Sequence, residues 1–289
     1  MRIGLSAYNL SAPDVLALAQ DADAAGFDIL WLGEHILAPK GYETSHPRSS
    51  AAFQQHSFPH ADPSVKLVDP LVTLGAAGAV TNQIHLATGV FVAPLRHPLM
   101  VARTVATAQE VCGGRLVLGL GAGWLEEEFA ALDVPFKGRF RRLEEGVEIL
   151  RDALAGGWVE RDSADYAFAP VQITQAPVPV PVVMGGNSPA AIRRAVRMAD
   201  GWFSSGTPTL EEALALRELL RSESEAAGRT TPLRTWFRVP GADPVNLSRW
   251  ADEGFEDVVV WANQVWPEAA TDRAAVIAQH ARALGINPS

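Results

Sequence analysis

Short apolar runs with little polar alternation recur from end to end of the chain. Each is followed by a stretch in which apolar residues return every three or four positions. The run over 2–8 (RIGLSAY) precedes a helical pattern with Val15, Leu18, Ala19 and Ala22 on one face. Ser11, with Asp14 three residues on, opens that helix and Gly26 closes it. The second run covers 27–33, and the third, IHLATGVFV over 84–92, lies between helical patterns at 69–81 and 98–112. RLVLGLGAG (115–123) is the fourth, followed by a long helical segment with Leu143, Val147, Leu150 and Leu154 in line. The fifth run, 180–186, precedes a helix carrying Ile192, Ala195, Val196 and Ala199; the sixth, 201–206, precedes one capped by Thr209 and Glu212. Runs at 233–239 and 256–262, with helices near 247–253 and 268–284, complete eight strand–helix units.

Strands apolar on both faces belong to a parallel sheet covered on both sides. Eight such units in 289 residues, with no linker between them, predict a (β/α)8 TIM barrel forming a single domain over 1–289. A doubly wound open sheet is the competing arrangement. Two segments fall outside the pattern: 38–68, an insertion after strand 2 rich in His, Ser, Pro and Phe, and 155–178, before strand 5, which reads as a turn plus a short hairpin. Long segments of this kind in a compact domain are lids or binding loops unless they are disordered.

The formal net charge of −9 argues against general affinity for nucleic acid or anionic lipid, both of which require clustered cations. No apolar run approaches the roughly 20 residues that span a bilayer. The first residues, MRIGLSAYNLSAPD, lack the apolar core and cleavage site of a signal peptide, so a cytoplasmic enzyme is expected. The single cysteine, Cys112, is in helical register with Val101, Val105 and Ala108 and is expected in the core.

In this fold the active site collects at the carboxyl ends of the strands. Those ends carry Ser6 and Tyr8; Glu34 and His35; Thr88, Gly89 and Val90; and Gly121, Ala122, Gly123 and Trp124. Further round come Gly185, Gly186, Asn187 and Ser188; Ser204, Ser205 and Gly206; Arg238; and Trp261 with Asn263. The set is poor in ionisable groups and rich in glycine, serine and aromatics, which suits a flat ring with a polar tail. None of Lys40, Lys66 and Lys137 stands at a strand end, which removes a Schiff-base lysine. The strand ends offer too few convergent ligands for a metal, and His46, His56 and His60 in the first insertion match no metal-binding spacing, so no metal is expected.

GLGAGW (119–124) is not a dinucleotide fingerprint, because Trp124 stands where the last glycine would be. Glu126, Glu127 and Glu128 read as complements to the dipole of the helix that follows. MGGNSPAA (184–191) is a candidate anion cradle: two glycines after a strand, Ser188 placed to cap and Pro189 at the first helical position.

Three blocks, GFDILWLGEHILAP (26–39), the long stretch over 86–136 and PVPVVMGGNSPAAIRRAVRMADGWF (179–203), together resemble the luciferase-like monooxygenase superfamily. The middle block is the most specific: strand, R-H-P, helix, G-G-R, strand, G-x-G-x-G-W and then E-E-F. Within the superfamily the chain is most similar to the branch that uses the deazaflavin coenzyme F420 in place of FMN. The resemblance implies a bacterial-luciferase-type barrel and a non-proline cis peptide at Gly89-Val90, with Val90 backing the cofactor ring. Ser6, Thr88 and Gly89 would lie near the cofactor, Ala122, Gly123 and Trp124 would flank its ring or side chain, and Gly185, Gly186 and Asn187 would approach its phosphate end.

His35 matches the acid/base histidine of the sugar-phosphate dehydrogenases of that branch, and Glu34 takes the place of their aspartate, placed to orient the imidazole or bind the ring's polar edge. The chain departs from those enzymes at Trp124, where they carry a second proton-transfer glutamate, so a sugar phosphate is not expected as substrate. Arg238 is a candidate contact for an anionic tail or substrate. The expected activity is F420-dependent hydride transfer to or from a small organic molecule; the alternatives are an FMN-dependent monooxygenase and a cofactor-binding barrel without turnover. A homodimer is expected.

Overall fold

Side chains alternate across a strand, so a run that is apolar at every position must face packed structure on both sides. The computed structural model describes residues 1–44 and 64–286 and shows how this is met. The eight expected runs form parallel barrel strands: β1 (Arg2–Ala7), β2 (Ile29–Leu32), β3 (His85–Thr88) continued by β4 (Phe91–Val92), β5 (Leu116–Gly121), β8 (Val182–Gly185), β9 (Gly201–Phe203), β10 (Arg234–Arg238) and β11 (Asp257–Trp261). In the segment before β8, β6 (Trp158–Asp162) and β7 (Ala167–Gln172) form the antiparallel hairpin expected there. The barrel closes where β3 pairs with β5, Leu86 opposite Leu116. That pairing overturns the open-sheet alternative, in which β3 would be an edge.

The third run, expected as one strand over 84–92, is two. The cis peptide Gly89-Val90 interrupts it, and β4 then pairs farther along β5, Phe91 with Leu120 and Val92 with Gly121.

The helices are α1 (Ala12–Ala25), α2 (Pro70–Gly78), α3 (Pro98–Val111), α4 (Glu126–Ala131), α5 (Arg139–Ala155), α6 (Pro189–Met198), α7 (Leu210–Ala226), α8 (Pro244–Asp252) and α9 (Arg273–Ala283). Proline opens α2, α3, α6 and α8, where its missing N–H costs no helical hydrogen bond. Caps also correct two sequence boundaries. Asp243 accepts from the Asn246 amide and starts α8 at 244, and Asp272 accepts from the Ala275 amide and starts α9 at 273, five residues later than the periodicity suggests. Cys112 is buried against α2, as expected. Among the described residues, no helix is long and apolar enough to cross a membrane.

Alternate strand residues divide the core. Ile29, Trp31, Ala87, Val117, Val183, Phe203, Trp236 and Val259 fill the barrel interior, while Leu30, Leu86, Leu116, Leu118, Val258 and Val260 pack outward against the helices. Trp31 stacks on Phe203 at 4.5 Å and meets Trp236 edge-on at 5.2 Å. Room for the large rings comes from glycine: a Cβ at Gly201 would stand 2.6 Å from Trp236, and one at Gly119 would collide with the Thr88 carbonyl and press on Trp31.

This layer plugs the barrel and is the base on which the site rests. At the opposite, amino-terminal end, Asp257 is held by Arg2 (2.6 and 2.8 Å) and Arg234 (2.8 and 3.1 Å), and Arg234 also reaches Asp28 at 2.9 Å.

Candidate active site

A cavity of about 580 Å³ opens at the carboxyl ends of the strands, above the Trp31–Phe203 layer. It is bordered by Ser6, Glu34, His35, Gly89, Val90, Ala122, Gly123, Trp124, Gly185, Gly186 and Asn187, the strand-end residues that the sequence singles out. Thr88 and Asn263 are the exceptions. Ala87 takes the inward position, so Thr88 faces away, fully buried, and its hydroxyl donates to the Gly119 carbonyl at 2.7 Å.

At the end of β2 the adjacent acid and imidazole diverge. Glu34 does not orient His35, which corrects that expectation. Its buried carboxylate accepts from the Val92 amide at 2.7 Å and from both terminal nitrogens of Arg96, at 2.7 and 3.1 Å. Burial pushes this carboxyl up, and the Arg96 hydrogen bonds oppose the rise. Arg96, the arginine of the R-H-P motif, also lies over the Phe91 ring at 4.2 Å. Glu34 thus fastens β2 to the strand that follows the cis peptide.

The carboxylate that orients His35 comes from α4. Glu128 Oε2 is 3.1 Å from His35 Nδ1, and its Oε1 accepts from the Ile36 amide at 2.6 Å. The Glu128 side chain is 1% exposed and that of His35 is 11% exposed, so the pair is shielded yet borders the cavity. A carboxylate only accepts, so Nδ1 is the nitrogen that carries the proton in this contact. Tyr8 and Trp124 meet the imidazole edge-on, at centroid distances of 6.2 and 5.7 Å. Burial, with the Glu128 charge added, pushes the Tyr8 phenol up.

The reading of 126–128 as simple dipole complements misses this geometry. Glu127 and Glu128 both reach across to the segment after β2, and Glu127 accepts from the Glu43 amide at 2.8 Å and the Thr44 hydroxyl at 2.8 Å. The available signal was the position of Glu128, directly before the buried Phe129, in the quoted E-E-F.

Val90 and glycine shape one wall. A Cβ at Gly121 would stand 2.7 Å from Val90 Cγ2, and one at Gly185 3.4 Å from Val90 Cγ1. The wall is therefore bare backbone beside one branched apolar side chain, which fits the face of a planar ring. Past Gly185 the chain enters α6, where Ser188 accepts from the Ala191 amide at 3.2 Å, and the helix amino terminus meets the cavity. Asn187 is spent on the loop after β9, accepting from the Ser205 amide at 2.7 Å and donating to its carbonyl. Arg139 and Arg194, not singled out from sequence, border the cavity; Arg194 is paired with Glu144 at 2.7 Å. The donor set and the bare wall fit a flat ring with an anionic tail leaving toward α6. The histidines at 46, 56 and 60 and the aromatics at 53 and 58 lie outside the described residues.

Arg238, at the end of β10, also borders the cavity. One terminal nitrogen donates to Ser6 Oγ at 2.9 Å and the other to the Gly206 carbonyl at 3.3 Å.

The family model for luciferase-like monooxygenases matches residues 2–242. An uncharacterised protein of Mycobacterium tuberculosis is 30% identical over 249 residues, covering 85% of this chain and 83% of that one. An F420-dependent glucose-6-phosphate dehydrogenase of Nakamurella multipartita is 32% identical over 263 residues, covering 89% of this chain and 70% of the relative. The crystal structure of a monooxygenase from Streptomyces bottropensis superposes with a TM-score of 0.65 at 23% identity, covering 98% of this chain and 87% of that one. That likeness shows the shared barrel fold. The chain belongs to the luciferase-like monooxygenase family of oxidoreductases.

Proposed function

We propose that the protein is an F420-dependent oxidoreductase moving a hydride between reduced deazaflavin and a small organic substrate. The observation that carries the reading is the His35–Glu128 pair at the edge of a cavity with a flat, glycine-lined wall. When bound, the cofactor supplies hydride chemistry at a ring carbon; the protein's task is to bind, orient and manage one proton. Val90 and the backbone at Gly121 and Gly185 would hold the ring, and the turn from Gly186 to Ser188, with Arg194, would hold the phosphate end.

His35 exchanges the proton with the substrate atom beside the hydride acceptor, since imidazole both gives and takes protons near neutrality. Glu128 fixes the ring plane and tautomer. Trp124 and Tyr8 enclose the imidazole and keep bulk water from it. The 32% identity with an F420-dependent dehydrogenase supports the deazaflavin. Trp124, in the place of that branch's second glutamate, disfavours a sugar phosphate.

The second reading, an FMN-dependent monooxygenase, is supported by the family's name and the Streptomyces structure. Titrating the purified protein with F420 and with FMN, each followed by ligand fluorescence, separates the two. Tight F420 binding with substrate reduction under anaerobic conditions is expected; tight FMN binding with oxygen consumption would overturn the deazaflavin reading.

The proposal extends to a cytoplasmic homodimer. Val72 on α2 and Met100 on the adjoining α3 are 69% and 60% exposed, which supports pairing through that face. Sedimentation of the native protein and of Met100→Glu tests it; a monomer at micromolar concentration would reject it.

A further inference from the structure

Arg238 ends β10, two residues beyond Trp236, and shares its inward direction. It is 7% exposed and borders the cavity. A guanidinium carries five N–H donors in a rigid planar fork. Here one reaches the neutral Ser6 hydroxyl, one makes a long contact to the Gly206 carbonyl, and Nε is buried with no partner. Among the described residues no carboxylate lies within ion-pair distance of Arg238, whereas Arg96 and Arg194 each meet a glutamate. The guanidinium is flanked instead by the rings of Trp261, at 4.4 Å, and Phe203, at 4.9 Å. Burial without a counter-charge pushes its pKa down to about 10. A buried cation is ordinarily paired, and an unsatisfied one calls for an anion from outside the chain.

We propose that Arg238 is the receptor for the carboxylate of the substrate, so that the substrate class is small organic acids. The inference rests on the cofactor placement proposed above, in which the anionic tail leaves toward α6 on β8. Going round the barrel, β10 lies two strands from β8 on one side and three from β2 on the other. The tail is thereby provided for elsewhere, and Arg238 falls to the substrate. The N–H bonds that Ser6 and Gly206 leave over are the donors available to a carboxylate, and the Trp261 and Phe203 rings hold the guanidinium in place. An acid held there occupies the cavity that His35 also borders.

Calorimetric titration of the purified protein with benzoate, with its neutral isostere benzamide and with inorganic phosphate tests this. Benzoate is expected to bind at least about tenfold tighter than benzamide and to be displaced poorly by phosphate. Arg238→Met is expected to abolish the preference for benzoate, and Arg238→Lys to retain part of it. Near-ultraviolet circular dichroism checks that each variant is folded. Should Arg238→Met fail to fold, the benzoate–benzamide contrast in the native protein and in Arg238→Lys decides.

Equal binding of benzoate and benzamide, benzoate binding that survives Arg238→Met, or phosphate binding as tight as benzoate would each overturn the assignment. So would an Arg238→Met variant that lost F420 or FMN binding while keeping the preference for benzoate. If the native protein binds neither cofactor yet selects benzoate through Arg238, the proposed function falls and the acid receptor stands.

Discussion

His35 Nδ1 and Glu128 Oε2 meet at 3.1 Å although 93 residues separate them in the chain. One stands at the end of β2 and the other on the short α4 after β5, and Glu128 also accepts the Ile36 amide, so its carboxylate fixes both the ring and the backbone carrying it. In single turnover with reduced F420, His35→Ala is expected to slow substrate reduction by about 10²–10⁴-fold. Glu128→Gln, which keeps the shape but loses the charge, is expected to cost about 10–100-fold through misplacement and to alter the pH profile of kcat. Unchanged rates in both variants would remove the imidazole from the chemistry.

Glu34 makes a different prediction from its neighbour. Its carboxylate holds Arg96 and the Val92 amide, so Glu34→Ala leaves a buried donor without its partner and Arg96 with only its longer contact to Asp69, at 3.5 Å. Urea unfolding is expected to show a loss of about 3 kcal/mol, with weaker cofactor binding as β4 loosens. Full stability with abolished turnover would instead make Glu34 a catalytic group.

Asp257 links stability to acid. Burial alone would raise its carboxyl, but the hydrogen bonds from Arg2 and Arg234 outweigh burial and hold it below the usual aspartate range. A carboxyl depressed in the folded state stabilises fully above its unfolded pKa, about 3.9, and the contribution is lost as pH falls through the folded value. Because both arginines are partly exposed, Asp257→Asn is expected to cost about 2 kcal/mol at pH 7. It should also flatten the fall in stability on acidification. Unfolding curves for both proteins at pH 7 and pH 3 check the sign.

Gly121 tests the cofactor wall. An added methyl would stand 2.7 Å from Val90 Cγ2, so Gly121→Ala must push Val90 into the cavity or narrow it. Cofactor affinity is expected to fall about tenfold or more, with a melting temperature close to native. Native affinity would show that the ring does not lie against Val90.

The barrel was legible because its information is local: eight runs apolar on both faces, with capped helices between them, leave few arrangements. Closure was not settled by the strand count, which an open sheet also satisfies; the pairing of β3 with β5 decides it. The position of Thr88 shows the limit, since a single-residue change in facing removes a side chain from the cavity. The partner of His35 was illegible for another reason. Adjacency in sequence pointed to Glu34, but consecutive residues after a strand end point in different directions, and the nearer carboxylate in space was carried by a helix two strands on. Arg238 was legible as a position; that no carboxylate meets it among the described residues is a property of the assembled interior.

Glu127 and Glu128 are consecutive residues of one six-residue helix, yet they serve two parts of the protein. The first grips Glu43 and Thr44, at the start of the long excursion after β2; the second grips His35 and Ile36. Neighbours on so short a helix move together. Glu43 and Thr44 are therefore coupled mechanically to His35, and α4 is the crossbar that joins them. A change of sequence around Glu43 and Thr44 that dislodges Glu127 is thereby felt at the His35 ring.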